Sequence, residues 1–466
     1  MEQIQPPSAN DLLADLDISG YLPGDNERLT EERDSINRSA AEAFGCMAER
    51  PTDYRSHIAA VQAVLGSLWT KYDCEDLLEV VREYAHVEPI LLDLERDEGS
   101  GRRYRDHSVH SFNVFVFGLR VLTRLINLTG EDAARRLLKV EPETIRTVIP
   151  GFRDWTWRER LFYLWTLMST FHDIAIPLEH LGSVGKGLNR FSGVFGLEIL
   201  GPSMRLDSVY PGVDEYFRRV SAIFAGDVTP LEDKLSYDQS RQDLYLETYL
   251  RHKLNTQDHG VLSGLLIYRK IEEIFLLLRG KAKEVFREPA TFDQYARCVL
   301  HQDISRASLA MSLHNLKPDA AGAPLFLPIH FRRHPLTFLL ILADGLQEYL
   351  RWEGTSIVGA TKFCCFPSID VSAEGARVKL AVDFHLTGEQ AEKDYLKEQA
   401  RAAAAFAGSS DKSDLDLAEA ASLFLRLLRQ QLEAQIDLQD EFQLEMRVTE
   451  PTGVLVRSSG MDKRRE

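Results

Sequence analysis

One His-Asp dipeptide occurs in the chain, within STFHDIAIPLEHL at 169–181. It closes a run that is apolar almost all round: Leu161, Phe162, Tyr163, Leu164, Trp165, Leu167 and Met168. Such a run predicts a buried helix, and an imidazole and a carboxylate are costly to bury without partners. Neighbouring helical side chains diverge by about 100°. At a helix end, however, His172 and Asp173 can still converge on one ion, and a divalent cation gives both a strong partner. Further ligands are then expected on other buried helices. His110 opens HSFNVFVFG, with Val114 and Phe117 on the same apolar face. Asp344 is a charge inside the apolar LLILADGLQ, His259 opens QDHGVLSGLL, and His314 closes AMSLHNL. Any one of these alone reads as a satisfied core group or, for Asp344, a salt-bridge partner. Together they point to a metal. His107 rivals His110 on the same helix, and His301 in VLHQDIS rivals His314.

The elements that must position these groups are mostly helices. Apolar residues at helical spacing predict helices over 110–128, 158–174, 261–278, 304–316 and 335–352. In the last, Phe338, Ile341, Leu342, Gly345, Leu346 and Tyr349 form one stripe. After residue 353 the period changes to two. RVKLAVDFHL and EFQLEMRV alternate apolar and polar residues and predict half-buried strands. The expected fold is therefore mainly α, an all-α helical core with a small C-terminal α+β subdomain. The boundaries read as a polar, loosely structured segment at 1–30, a helical domain at 31–352 and the α+β subdomain at 353–466. A glycine-rich and then charged stretch at about 182–257 reads as an insertion or lid.

Composition narrows the function classes. With 55 Lys and Arg against 71 Asp and Glu, the net charge is −16, which argues against duplex DNA and anionic membrane as partners. Five cysteines form no CxxC pair, which suits a reducing cytoplasm. The polar, acidic first twenty residues do not resemble a secretory signal, and no apolar run approaches the roughly 20 residues of a spanning helix.

The order His, His-Asp, Asp on separate helices resembles the HD-domain metal-dependent phosphohydrolases. HSFNVFVFG is similar to that family's HSxxV helix, FHDIAIP to its LHDIGxP, and LLILADGLQ to its LLxxADxLQ helix. Ala175 stands where the family usually has Gly, and the GYP motif of its compact phosphodiesterase branch is absent. The likeness spans about residues 100 to 352. It implies that His110, His172, Asp173 and Asp344 ligate a divalent ion (Mn2+, Mg2+, Fe2+, Co2+ or Zn2+), with His259 and His314 for a second ion that Asp173 would bridge. A metal-bound hydroxide would attack phosphorus, and His107, His180 or His301 would protonate the leaving oxygen. Arg102, Arg103 and Arg105 before the first histidine, and Lys186 in GSVGKGLNRF, are candidates for the substrate's phosphates. That glycine-rich loop lacks the spacing and the Ser/Thr of a Walker A sequence.

The branch most resembled hydrolyses deoxynucleoside triphosphates to deoxynucleoside and triphosphate. Its members imply a homo-oligomer, a nucleotide effector, and a role in nucleotide-pool control or defence against phage. Two alternatives are a two-metal phosphodiesterase or nucleotide monophosphatase of the same superfamily, and a nucleotide-sensing module without turnover.

Overall fold

The computed structural model describes residues 9–22, 27–49, 54–71, 76–84, 86–87, 107–140, 156–178, 212–226, 246–254, 258–285, 299–315, 328–348, 367–375, 377–386, 416–438 and 441–458, with five positions between 390 and 397. In chain order the helices are α1 (Ala9–Leu16), α2 (Ile18–Tyr21), α3 (Glu27–Glu49), α4 (Tyr54–Lys71), α5 (76–84), α6 (His107–Thr129), α7 (Glu131–Leu138), α8 (Trp157–Phe171), α9 (Val213–Gly226), α10 (246–254) and α11 (His259–Val285). A π-helix (Val299–Ile304), α12 (Ser305–Leu313) and α13 (Pro335–Glu348) follow. Strands β1 (Ser368–Glu374) and β2 (Arg377–His385), helix α14 (Leu417–Glu433), and strands β3 (Phe442–Glu450) and β4 (Gly453–Ser458) complete the described chain. The fold is mainly α with a small C-terminal sheet, as expected. These elements fall into two compact units, one of residues 1–140 and 317–466, the other of residues 141–316.

In the discontinuous unit, the sheet has the order β1-β2-β3-β4. β1 and β2 form an antiparallel hairpin whose turn uses Gly375 at φ 65, a conformation that favours glycine. β2 and β3 are parallel, with α14 in the crossover, and β3 and β4 are antiparallel. Leu380, Val382 and Phe384 of β2 and Leu444, Met446 and Val448 of β3 share a buried face. Phe384 meets Phe424 of α14 at 6.0 Å between ring centroids. Gly345 faces Leu432 closely: a Cβ there would lie 2.6 Å from Leu432 Cδ2, so any larger residue would push that side chain aside. This close approach seats α13 on α14.

α6 is long and apolar enough to cross a membrane by length and composition, against the expectation that no run comes close. Its apolar window is 94% buried inside the protein, the mark of a core helix. Its Arg120 guanidinium is buried. It donates to Asp15 through Nε (3.2 Å) and Nη2 (3.0 Å) and to the Pro367 carbonyl through Nη1 (3.0 Å). Burial pulls the Arg120 pKa below its ordinary value, and Asp15 opposes the shift. Residues 9–22 are helical rather than loose, because Leu12, Leu16, Ile18 and Tyr21 find buried positions. The prolines that suggested disorder flank these helices.

In the second unit, α8 starts with a capping box: Thr156 Oγ1 accepts from the Glu159 N–H, and Glu159 accepts from the Thr156 N–H. α8, α11 and α12 pack together. α11 and α12 approach closely at Gly264, where Tyr216 of α9 also bonds Ser312 Oγ at 2.7 Å. Within the expected insertion at 182–257, the described residues 212–226 and 246–254 are essentially helical.

Candidate metal centre

The second unit brings three of its histidines to one carboxylate. α8 runs through Phe171, and His172 caps it, its N–H donating to the Met168 carbonyl at 3.0 Å. Asp173 follows in a tight turn. The turn is held by the Asp173 carbonyl, which accepts from the Ile176 N–H at 3.0 Å, and by Ser263 Oγ of α11, which accepts from the Ala175 N–H at 3.1 Å. Asp258 caps α11 by accepting from the Gly260 and Val261 N–H groups at 3.1 and 3.3 Å. This sets His259 as the first helical residue. His314 caps α12.

Asp173 Oδ1 lies 3.2 Å from His314 Nε2 and 3.5 Å from His259 Nε2, while Oδ2 lies 3.6 Å from His172 Nε2. The His172 and His314 rings meet edge-on at 4.9 Å, and those of His259 and His314 at 5.3 Å. His172, Asp173 and His314 are 0%, 3% and 2% exposed, so solvent supplies them little.

The tautomers follow from the other ring nitrogens. His172 Nδ1 lies 3.0 Å from the Ser169 carbonyl, and His314 Nδ1 lies 2.6 Å from the Met311 carbonyl. In each case the carbonyl sits three residues earlier on the same helix end. A carbonyl oxygen can only accept, so both Nδ1 atoms carry the proton. In the neutral rings, each Nε2 is then a lone pair. In that tautomer the Nε2 atoms of His172 and His314 turn their lone pairs toward Asp173, an arrangement that a cation between them would stabilise. One donor atom from each of His172, Asp173 and His314 lies within 4.8 Å of the others, the spacing of a group able to hold a metal ion. Imidazole and carboxylate are the donors that first-row divalent ions accept.

The discontinuous unit holds a second pair. His110 Nε2 of α6 lies 2.8 Å from Asp344 Oδ1 of α13, with side chains 1% and 15% exposed. His107 is buried at the first residue of α6, one turn before His110, so the helix opens earlier than HSFNVFVFG suggested. Arg102, Arg103, Arg105, His180 and Lys186 lie outside the described residues, as does the side chain of His301.

The sequence missed the supports. Ser263 lies four residues after His259, on the same helical face. Gly260 lets the His314 ring approach, since a Cβ there would lie 3.1 Å from His314 Cε1. A small residue and a hydroxyl spaced around His259 carry a weak signal at best. Compared with family models, curated proteins and solved structures, the chain matches none.

Proposed function

We propose that this protein is a metal-dependent phosphohydrolase acting on nucleotides. By the likeness of its motifs, it converts deoxynucleoside triphosphates to deoxynucleoside and triphosphate. The observation that carries this reading is Asp173 faced by the lone-pair nitrogens of His172 and His314, both fixed through Nδ1. His172, Asp173 and His314 hold a divalent ion (Mn2+, Mg2+, Fe2+, Co2+ or Zn2+), and the order of motifs assigns His110 and Asp344 as ligands too. Bound there, such an ion neutralises phosphoryl oxygens and lowers the pKa of a water. The protein's own part is to orient the ligands, exclude bulk water and deliver a proton to the leaving oxygen, the role given to His107 or His180. Arg102, Arg103, Arg105 and Lys186 are assigned to the phosphates. A nucleotide effector, a homo-oligomeric state and a cytoplasmic location belong to the same reading.

A second reading has its own support. His259 and His314 face Asp173 Oδ1 at 3.5 and 3.2 Å, and His172 faces Oδ2 at 3.6 Å, so the two carboxylate oxygens have different histidines, as a carboxylate shared by two ions would need. It favours a two-metal phosphodiesterase or nucleotide monophosphatase.

One experiment tests both. The purified protein is loaded with Mn2+, Mg2+ or Co2+, its ions per chain are counted, and it is offered a nucleotide panel. Triphosphate released from a deoxynucleoside triphosphate, lost in His172→Ala and Asp173→Asn, supports the first reading. Two ions with release of orthophosphate or a linear dinucleotide supports the second. A protein that retains no divalent ion and turns over no nucleotide overturns both.

A further inference from the structure

The second unit contains a buried ion pair that the chemistry above does not use. Arg160, in the first turn of α8, donates through Nε to Asp303 Oδ2 at 2.5 Å and through Nη2 to Asp303 Oδ1 at 2.7 Å. Both side chains are only 5% exposed. Burial pushes the Asp303 carboxyl up from its ordinary value, and the bidentate guanidinium opposes the shift. Removing two charges from water is expensive, and a well-packed apolar pair of similar volume is often as stabilising or more so. Stability alone therefore does not account for the pair.

Its place in the fold does. Asp303 sits in the π-helix Val299–Ile304, which runs directly into α12 and ends at His314. π-turns interrupt α-helices mostly at functional sites, because the extra residue changes the register of everything downstream. Arg160 precedes His172 by twelve residues, and Asp303 precedes His314 by eleven. At about 1.5 Å per residue, both spans cover roughly 16–18 Å. α8 and the π-helix with α12 thus run side by side in the same direction. They are joined by the ion pair at one end, and their ligands meet at the other, where His314 Nε2 reaches Asp173 Oδ1 at 3.2 Å. An axial slip of one residue displaces a ligand by about 1.5 Å. Metal–ligand distances tolerate only about 0.2 Å.

We propose that Arg160 and Asp303 are positioning residues for the metal centre: their bidentate pair, locked across a π-turn, sets the axial register that brings His172 and Asp173 to His314. The inference rests on the metal-centre reading. The bidentate fork matters because it fixes direction as well as distance, which a single charge contact does not.

The test separates register from stability and uses Co2+ as the probe on the full chain. Co2+ affinity is measured by competition with a coloured chelator, the visible Co2+ absorption reports ligand geometry, and melting of the metal-free protein reports stability. The double variant Arg160→Met with Asp303→Leu is expected to melt near the wild type, to bind Co2+ about tenfold more weakly and to show an altered spectrum. Arg160→Lys, which keeps the charge but loses the fork, is expected to fall between the two. A folded double variant with wild-type affinity and spectrum overturns the proposal. Should the double variant not fold, Arg160→Lys decides: unchanged affinity and spectrum overturn it, and a severalfold loss supports it. His172→Ala is the control. If it leaves Co2+ binding unchanged, the metal-centre reading itself falls and this inference with it. If His172→Ala abolishes binding while the double variant retains it, only the positioning role is lost.

Discussion

Replacing Gly264 by alanine probes how tightly the helices around the centre are held. An ideal Cβ at 264 would lie 2.5 Å from the Ser308 carbonyl oxygen and 2.6 Å from the Tyr216 hydroxyl, with Ser312 Oγ closer still. A relaxed carbon–oxygen contact is about 3.3 Å or more, so the separation must grow by roughly 0.8 Å. A side chain alone cannot yield this, because the Ser308 carbonyl is backbone within α12. α12 must therefore move away from α11. The Tyr216–Ser312 bond, now 2.7 Å, would stretch to the limit of a hydrogen bond. Overpacking of this kind costs about 1–3 kcal/mol, and a buried hydroxyl losing its partner costs a further ~1–3 kcal/mol. Gly264→Ala is therefore expected to lose about 2–6 kcal/mol in urea unfolding followed by circular dichroism. Because His314 caps the same helix, Co2+ affinity should fall as well. A variant within about 0.5 kcal/mol of the wild type, with intact Co2+ binding, would refute the reasoning, since the contact at Gly264 would then be neither rigid nor connected to the centre.

Three further outcomes follow from the same geometry. Ser263→Ala leaves the Ala175 N–H without its acceptor, so it should cost about 1–3 kcal/mol in urea unfolding and weaken Co2+ binding by loosening the turn that carries Asp173. Thr156→Ala removes the capping box of α8 and should cost about 1 kcal/mol, read as a shift in urea midpoint with unchanged slope. In the sheet, Arg457, aided by Arg447, holds the Glu445 carboxyl down to about 2, below its ordinary 4.5. A depressed carboxylate stabilises the folded state above pH 4.5 and loses that contribution as pH falls through 2. Because Arg457 is half exposed, solvent screening keeps that contribution small. Glu445→Gln should flatten the decline in stability between pH 5 and pH 2, and an unchanged decline would show that the cluster does not couple to folding.

The part of the centre that could be read in the sequence is the part with a local cost. His172-Asp173 stands out because two polar groups end an apolar run, and His259 and His314 because they sit where apolar helices begin and end. β2 and β3 are legible for a similar reason: Val378, Leu380, Val382 and Phe384 alternate strictly. β1 is not, since SIDVSAE mixes short polar residues and is half buried, and GVLVRS of β4 is too short to show a period. Helices at 9–22 were hidden behind flanking prolines, whose local signal outweighed a packing partner contributed by Arg120 and Thr123, more than a hundred residues away. The supports of the centre are illegible for the same physical reason. Arg160 and Asp303 are 143 positions apart, and nothing near either residue announces the other. The π-turn that carries Asp303 has no compositional signature at all.

The Arg120 clasp has a consequence for how the chain is made. Its guanidinium closes on Asp15, which leaves the ribosome before it, and on the Pro367 carbonyl, which emerges 247 residues after it. At about 5–20 residues per second, translation takes roughly 12–50 seconds to cover that distance. During this interval the contiguous residues 141–316 are fully synthesised, while α6 still lacks β1 and α13. A nascent chain therefore carries an apolar, incompletely covered helix throughout that interval. Until α13 and β1 emerge, whatever covers α6 must be something other than its final partners.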